Sequence, residues 1–274
     1  MLKKGAIVSI NIPVKVNTRM IAGIKKYKPV LEKAKAKDVN ESDTVTIITD
    51  MLCDVFGYDK YTEITSEYAI KKTFCDLAVK IEGTPRLLIE IKSAGMCLNE
   101  NHVRQAAGYG STSGIDWVIL TNGSIWEVYK IIFGKPVDLE LVYEFDFLEI
   151  NTKKQSHMEL LYYITKEAMS KESKLSLSEY HIQKQILNKI TIGQILLSDP
   201  VLDVVRRTIK KLADDSNATN DEIKQIIAME VIKREVLEDE KATELKRKIQ
   251  KICKPAKKTG KKAVSSASPK IEIK

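Results

Sequence analysis

Residues 74–92, FCDLAVKIEGTPRLLIEIK, decide the fold of this chain. Two short apolar runs separated by Gly83, Thr84 and Pro85 are typical of a β-hairpin. The first run contains Asp76, and the second ends with Glu90-Ile91-Lys92. A carboxylate inside a buried strand is costly unless it is paired or binds a metal. The stretch therefore predicts a hairpin together with a site that two carboxylates and a lysine share.

Alternation along the two strands sorts their side chains onto two faces. The apolar face comprises Cys75, Leu77, Val79, Ile81, Leu87, Ile89 and Ile91. The other face collects the polar residues Asp76, Glu90 and Lys92, around Ala78 and Leu88. A two-residue Gly83-Thr84 turn would place Asp76 opposite Ile91, on the wrong face. We therefore predict a three-residue loop or a β-bulge near residues 82–85.

The polar face of the hairpin suits phosphodiester hydrolysis. Mg²⁺ prefers one or two carboxylates, completed by water and phosphate oxygens. Asp76 and Glu90, with the carbonyl of Ile91, would hold Mg²⁺, and Mn²⁺ is the alternative metal. Lys92 would position the attacking water or stabilise the pentacovalent phosphorus. The competing interpretation is a cross-strand ion pair on a solvated face.

The flanking pattern predicts an α/β fold in residues 1–150, a mixed β-sheet flanked by helices. Helices are expected at 18–37 (interrupted near Pro29), 41–56 and 98–110, and strands at 61–68, 73–81, 86–92 and 137–146. Caps for the second helix are available in Asn40-Glu41-Ser42-Asp43. Asn122-Gly123 is a strong signal for a further hairpin, because both residues tolerate positive φ.

Residues 151–250 have a helical pattern. Asp199-Pro200 is typical of a helix start, and Thr219 with Glu222 predicts a capping box for a helix running to about 250. This region is either a DNA-binding unit or a bundle for dimerisation or partner docking. The low-complexity segment 251–274 is expected to be a disordered basic tail.

The net charge of +8 is unevenly distributed. Residues 241–274 hold twelve Lys/Arg against two Glu, whereas the preceding 240 residues hold 33 basic and 35 acidic side chains. Such a tail either binds phosphate backbones without reading sequence or only solubilises the chain. The scattered cysteines, without a C-x-x-C pair, indicate free thiols in a reducing cytoplasm. No apolar run is long enough to predict a membrane span.

The helix after the first hairpin adds Gln105 and Tyr109, which are four residues apart and therefore share a face. The informative motifs are Asp76, Glu90-Ile91-Lys92, Gln105-Ala-Ala-Gly-Tyr109, and Leu120-Thr121-Asn122-Gly123 followed by Trp126. Together with Glu41 they resemble the PD-(D/E)xK nuclease superfamily and, within it, the N-terminal nuclease domain of type I restriction enzyme R subunits. The resemblance covers roughly residues 38–135.

This resemblance implies a restriction-endonuclease-like fold and a metal-dependent DNA endonuclease core. It implies a first-helix acid near the metal, assigned to Glu41, although the helix macrodipole alone also favours an acid there. Glu63 and Glu67 are weaker rivals for that role. Gln105 is expected to assist catalysis, and Gln105 and Tyr109 are expected to contact DNA. His102 is interpreted as a groove or surface residue.

The chain departs from the R subunits in one respect, because no G-x-x-x-x-G-K-[ST] motif occurs in it. We therefore expect no ATP-driven motor in this chain. It would act as a stand-alone nuclease, as part of a defence complex with a motor or specificity subunit, or as a retired nuclease that only binds nucleic acid. The sequence also leaves open whether the chain forms a homo-oligomer.

Overall fold

The computed structural model describes residues 10–70, 73–99, 101–104, 107–108, 114–170, 176–213 and 217–253. The chain divides into two compact units, Met1–Gln185 and Ile186–Lys274. The first unit contains the predicted hairpin, and the second is helical where it is described. Most of the predicted basic tail, residues 254–274, lies outside the described residues.

Helix α1 (Val14–Ala36) opens the first unit. The predicted interruption near Pro29 is wrong, because the helix runs through this residue. A proline removes one hydrogen bond of the helix ladder. Tyr27 and Leu31, on either side of Pro29, are both buried in the core, and this packing retains the helix.

Helix α2 (Glu41–Asp54) follows after a short turn. The predicted cap is confirmed, since the side chain of Asn40 accepts a hydrogen bond of 2.9 Å from the backbone N–H of Asp43. The predicted apolar side of the helix faces the core, where the buried residues include Ile48, Met51 and Leu52. The cap fixes where the helix starts and therefore where Glu41 lies.

Six strands form one mixed sheet in sequential order. They are β1 (Ile64–Ile70), β2 (Thr73–Ile81), β3 (Thr84–Ile91), β4 (Trp117–Thr121), β5 (Ile125–Ile132) and β6 (Asp138–Asp146). All neighbours are antiparallel except β3 and β4, which are parallel. A parallel pair requires a crossover, and residues 92–116 supply it, with helix at 101–104 and 107–108. The expected α/β class, a mixed sheet flanked by helices, is confirmed.

The β2–β3 hairpin has the predicted bulge but not the three-residue loop. Ile81 pairs with Thr84, so the turn consists of two residues, Glu82 (φ 51°) and Gly83 (φ 76°). Two successive positive φ angles are typical of the type I′ hairpin turn. The register then shifts by one residue on β3, where Arg86 is the extra residue.

Beyond the bulge, the register restores the predicted faces. Leu77 pairs with Ile89 and Ala78 with Leu88, so residues of matching face oppose each other. The prediction for Cys75 is wrong, because it packs with Ala78 and Leu88 rather than with Leu77. The regular alternation of faces along β2 is disturbed next to Cys75, where the neighbouring strand β1 contains Glu67 with a φ of +47°.

The predicted β4–β5 hairpin is confirmed, with a longer turn than two residues. Thr121 pairs with Trp126, and four residues lie between them. Gly123 has the positive φ expected for this turn, +88°. Asn122 stabilises the turn with its side chain, which accepts a hydrogen bond of 2.8 Å from the N–H of Ile125. The indole of Trp126 donates to the carbonyl of Gly123 at 2.9 Å, which ties the turn to the core.

The sheet buries both of its faces. The larger core joins α1 and α2 to one face and is centred on Trp126, whose ring stacks on Phe145 and is tilted against Phe56. The opposite face carries a smaller core of Cys75, Ala78, Leu88, Val103, Ile115, Val118, Leu120, Tyr129 and Ile131. Because Leu88 belongs to the smaller core, alternation puts Glu90 on that side of the sheet.

Three further helices complete the first unit, α3 (Gln155–Tyr162), α4 (Lys166–Met169) and α5 (Leu177–Ile186). Met158 and Leu161 of α3 lie in the same core as the sheet. The first unit therefore continues past residue 150, the boundary expected from the sequence, because these helices supply apolar surface to that core.

The described part of the second unit is helical. It comprises α6 (Lys189–Leu196), α7 (Asp199–Leu212), α8 (Asn220–Ile226), a π-helical turn (Ile227–Val231), α9 (Arg234–Leu237) and α10 (Glu240–Cys253). The capping box of Thr219 and Glu222 is confirmed. The prediction of one helix to about 250 is wrong, because Ile232 adopts an extended conformation that ends the turn. No helix in the described ranges combines the length and apolar character needed to cross a bilayer.

Substituting Gly123 by alanine is expected to destabilise the first unit by about 2–4 kcal/mol. The new Cβ would lie 2.8 Å from Cδ2 of Leu31, in addition to the backbone strain at positive φ. Gly83→Ala is the matched control, since Gly83 also has positive φ but no atom within 4 Å of the added Cβ. Urea unfolding should show the larger loss for Gly123→Ala, and equal losses would contradict the close contact.

The ion pair between Arg19 and Glu167 is expected to make stability pH-dependent. Burial raises the pKa of Glu167, but the hydrogen bond and charge of Arg19 outweigh it and the net pKa is lowered. A lowered pKa adds stability above the ordinary value, and this is lost as the pH falls through the folded-state pKa. Glu167→Gln should therefore cost about 1 kcal/mol at about pH 7 and much less at about pH 3, where the carboxyl of the wild type is increasingly protonated. Urea unfolding at both pH values checks this, and a pH-independent cost would contradict it.

Candidate active site

Asp76 lies where strands β2 and β3 separate. Cα pairing between the strands ends at Leu77 and Ile89. At Asp76, the residue that precedes Leu77 on β2, Oδ2 accepts a hydrogen bond of 2.6 Å from the backbone N–H of Ile91. The carboxylate thus takes the place of a ladder acceptor, and it is held against the end of β3 in a half-buried position.

Glu90 and Lys92 form an ion pair at the end of β3. Oε1 of Glu90 accepts a hydrogen bond of 2.8 Å from Nζ of Lys92. The side chains are only 10% and 15% exposed, respectively, so the pair is shielded from solvent. A buried carboxylate without a partner would be costly, and Lys92 offsets part of that cost.

Glu41 reaches the same group from the N-terminus of α2. Its Oε2 lies 3.4 Å from Nζ of Lys92, while the side chain remains about half exposed. The structure therefore brings together four of the predicted residues: Asp76, Glu90, Lys92 and Glu41. Lys92 is the cation that the three carboxylates surround.

Several carboxylates lie close to a single lysine in this partly buried group, and the pKa values of Asp76, Glu90 and Lys92 are shifted as a result. Burial raises the pKa of Asp76 and Glu90, and the hydrogen bonds from Ile91 and Lys92 only partly counteract it. The charge of Glu41 raises both values further. Burial lowers the pKa of Lys92, but its hydrogen bond to Glu90 and the surrounding carboxylates outweigh that effect and the net pKa is raised.

The segment that follows Lys92 is fixed by contacts that sequence patterns did not indicate. The backbone N–H of Lys92 donates to the carbonyl of Thr121 at 2.9 Å. Nδ2 of Asn122 donates to the carbonyl of Met96 at 2.8 Å. The sequence indicated Asn122 as a turn residue only, because no local pattern reveals a partner 26 positions away.

The donor set fits a hard cation such as Mg²⁺. Within the described ranges, each carboxylate of Asp76 and Glu90 has one oxygen in a hydrogen bond, to Ile91 and Lys92 respectively. Among the described residues, no three His, Cys, Asp or Glu side chains are arranged to hold a metal ion by themselves. A cation bound here would therefore complete its shell with water and phosphate oxygens, which is the mode that Mg²⁺ favours.

Two predicted site residues, Gln105 and Tyr109, lie outside the described residues. Their expected roles stay predictions. His102 is half-buried, and its Nε2 lies 3.2 Å from Nδ2 of Asn99.

The two weaker rivals of Glu41 occupy other environments. Glu63 pairs with Lys166 at 2.7 Å and also accepts a hydrogen bond from the backbone N–H of Asp59. Glu67 is exposed on β1. Of the three acids, Glu41 is the one that reaches Lys92, and this contact supports its assignment over the rivals.

The site thus consists of carboxylates on two neighbouring strands of a mixed sheet, placed where the strands separate, together with a lysine that pairs with one of them. Residues 46–139 match the family model described as Type I restriction enzyme R protein N terminus (HSDR_N). The matched segment runs from α2 to the start of β6 and covers about a third of the chain. It includes Asp76, Glu90 and Lys92, while Glu41 lies just before it. No curated protein and no solved structure matches the chain significantly.

The hydrogen bond between Asp76 and Ile91 leads to a stability prediction. Asp76→Ala would leave the buried N–H of Ile91 without its acceptor, at a cost of about 1–3 kcal/mol. Asp76→Asn keeps an acceptor oxygen and removes a charge that burial disfavours, so it should be at least as stable as the wild type. Urea unfolding midpoints test the order, and an Ala variant as stable as the Asn variant would contradict it.

Proposed function

We propose that this chain is a metal-dependent endodeoxyribonuclease of restriction or defence type, without an ATP motor of its own. The single observation that carries the proposal is the buried pair of Glu90 and Lys92 beside Asp76. These residues lie within the segment that matches the R protein N terminus. A charged group of this kind adds little to stability where an apolar group would fit. Its retention in the sheet is therefore best explained by chemistry.

In this proposal Asp76 and Glu90 hold the metal, and Glu41 adds negative charge from α2. A bound Mg²⁺ would neutralise charge on the scissile phosphate and lower the pKa of a water. Lys92 lies between the carboxylates, 2.8 Å from Glu90 and 3.4 Å from Glu41. Its ammonium group would donate to a phosphate oxygen or orient the attacking water.

Gln105 and Tyr109 are proposed to assist from the helix that the sequence predicts at 98–110. Gln105 would orient Lys92 or the attacking water, and both residues would contact the DNA backbone. The Ile91 carbonyl is proposed as a further metal ligand. The N–H of Lys92 belongs to the same peptide group as this carbonyl and donates to the carbonyl of Thr121 at 2.9 Å, which defines the direction of the Ile91 carbonyl.

A partner-dependent subunit is the second candidate. The family match corresponds to the N-terminal part of the R proteins, and no G-x-x-x-x-G-K-[ST] motif is present in this chain. Cleavage would then require a motor or specificity subunit. A catalytically inactive binding subunit is less favoured, because the acids and the lysine are all present and Lys92 contacts both Glu90 and Glu41.

Cleavage of supercoiled plasmid in the presence of Mg²⁺ or Mn²⁺ tests the proposal. Lys92→Ala and Asp76→Asn should each reduce the rate at least about a hundredfold. Lys26→Ala is the matched control, since Lys26 forms a similar ion pair with Asp54 at the opposite end of α2 from Glu41. The control should cleave like the wild type.

Three outcomes separate the candidates. Metal-dependent cleavage that both site variants lose supports the enzyme. Cleavage that survives in both variants would rule out this site as its source. No cleavage by the isolated wild type, but cleavage after addition of a host extract, would favour the partner-dependent subunit, provided that Lys92→Ala abolishes it.

A further inference from the structure

We propose that the cationic face of α10 binds the phosphate backbone of duplex DNA. This face comprises Lys246, Arg247, Lys248 and Lys251, all of which are exposed. It belongs to the second unit, whereas the residues of the candidate active site belong to the first. The proposal concerns where the chain holds nucleic acid, and it does not depend on whether the chain cuts it.

The distribution of charge points to the C-terminal part of the chain, of which α10 is the described portion and carries five Lys/Arg. Residues 1–185 contain 25 basic and 24 acidic side chains, and residues 186–240 contain 8 basic and 11 acidic ones. Only from residue 241 onward does the sequence become strongly basic, with twelve Lys/Arg against two Glu. A polyanion would therefore be attracted to this part of the chain and not to the surroundings of Asp76 and Glu90.

The geometry of α10 separates its apolar side from its basic side. Ala242 is buried, and Leu245 and Ile249 are half-buried against the rest of the second unit. Arg247 and Lys251 are four residues apart and so project from the same side of the helix. Lys246, four residues from Ala242, lies at the edge of the apolar side with its side chain exposed, and the other three cations project into solvent.

The cations of α10 are largely uncommitted. Lys248 forms an ion pair of 2.7 Å with Glu244, but both side chains are more than half exposed, so the pair is weak. In the part of the chain that the structure describes, neither Arg247 nor Lys251 contacts a carboxylate. Their charges are available to a ligand.

The other basic row of the second unit, on α7, is less suited to this role. Arg206 donates to the carboxylate of Asp203 at 3.2 Å, and Arg207 donates to the backbone carbonyl of the same residue at 3.1 Å. Asp203 thus engages one nitrogen of each guanidinium group, although the Arg206 pair is itself partly exposed and weak. The α7 row, Arg206, Arg207, Lys210 and Lys211, therefore serves as a matched control with the same number of charges.

Cations near a helix C-terminus also interact with the macrodipole, and this is the competing explanation of the α10 face. The two explanations differ in one measurable quantity. Each cation that neutralises a DNA phosphate releases a counterion and steepens the dependence of binding on salt. A role confined to the macrodipole leaves that dependence unchanged.

Binding of the full chain to a fluorescein-labelled duplex of about 25 base pairs, followed by anisotropy from about 50 to about 200 mM NaCl, makes this measurement. EDTA is present throughout, so cleavage plays no part. The α10 variant replaces all four cations by Gln, which preserves helix propensity. It should bind at least about tenfold more weakly, with a log–log salt slope less negative by about 3. The α7 variant, with four Gln, should change affinity less than about twofold.

Replacing the three α10 lysines by Arg should retain the wild-type affinity and slope, and circular dichroism should show equal helix content in all variants. An unchanged slope in the α10 Gln variant would overturn the proposal. Equal losses in the α7 and α10 Gln variants, or no binding by the wild type, would also overturn it. Because no metal is present, the proposed nuclease activity can fail while this binding persists, and the reverse also holds.

Discussion

One extra residue in β3 decides whether Asp76 and Glu90 can act together. A strand presents its side chains with a period of two, so a shift of one residue moves every following side chain to the opposite face. The type I′ turn at Glu82 and Gly83 alone would leave β2 and β3 out of phase. Arg86, the extra residue of β3, brings the two strands back into phase, so that Leu77 pairs with Ile89. The smaller core and the carboxylate group on the same side of the sheet both depend on this correction.

The carboxylate group is stabilised by its neighbours and not by solvent. Glu90 is 7% exposed and would be costly to bury alone, but Lys92 lies 2.8 Å away. Asp76 has a second function, since it satisfies the N–H of Ile91 where the ladder ends. Burial, together with the charges of the neighbouring acids, still keeps the pKa values of both carboxyls raised. The site thus stores unfavourable electrostatic energy, which a bound cation would reduce. The sheet around it tolerates this cost because both of its faces are filled with apolar side chains.

Local patterns were sufficient for the parts of the fold that depend on period and turn chemistry. Alternation predicted the shared face of Asp76 and Glu90 and required a three-residue loop or a bulge, and a cap was predicted within Asn40-Glu41-Ser42-Asp43. Pro29 was misread, because tertiary burial of its neighbours outweighs the lost hydrogen bond. The contacts of Asn122 with Met96 and of Lys92 with Thr121 join residues far apart in the sequence, so no window of the sequence contains both partners. The prediction of one continuous helix from Thr219 to about residue 250 was wrong, since the chain takes an extended conformation at Ile232.

The parallel pairing of β3 with β4 has a consequence for how the site is assembled. The backbone of Lys92 is fixed by Thr121, which the chain reaches only after the crossover of residues 92–116. Its side chain is held by Glu41, 51 positions earlier. Closing such long loops costs entropy before any contact repays it. The arrangement is therefore a property of the completed sheet. A nascent or partly folded chain that already contains Asp76, Glu90 and Lys92 does not yet hold them in the arrangement of the completed sheet.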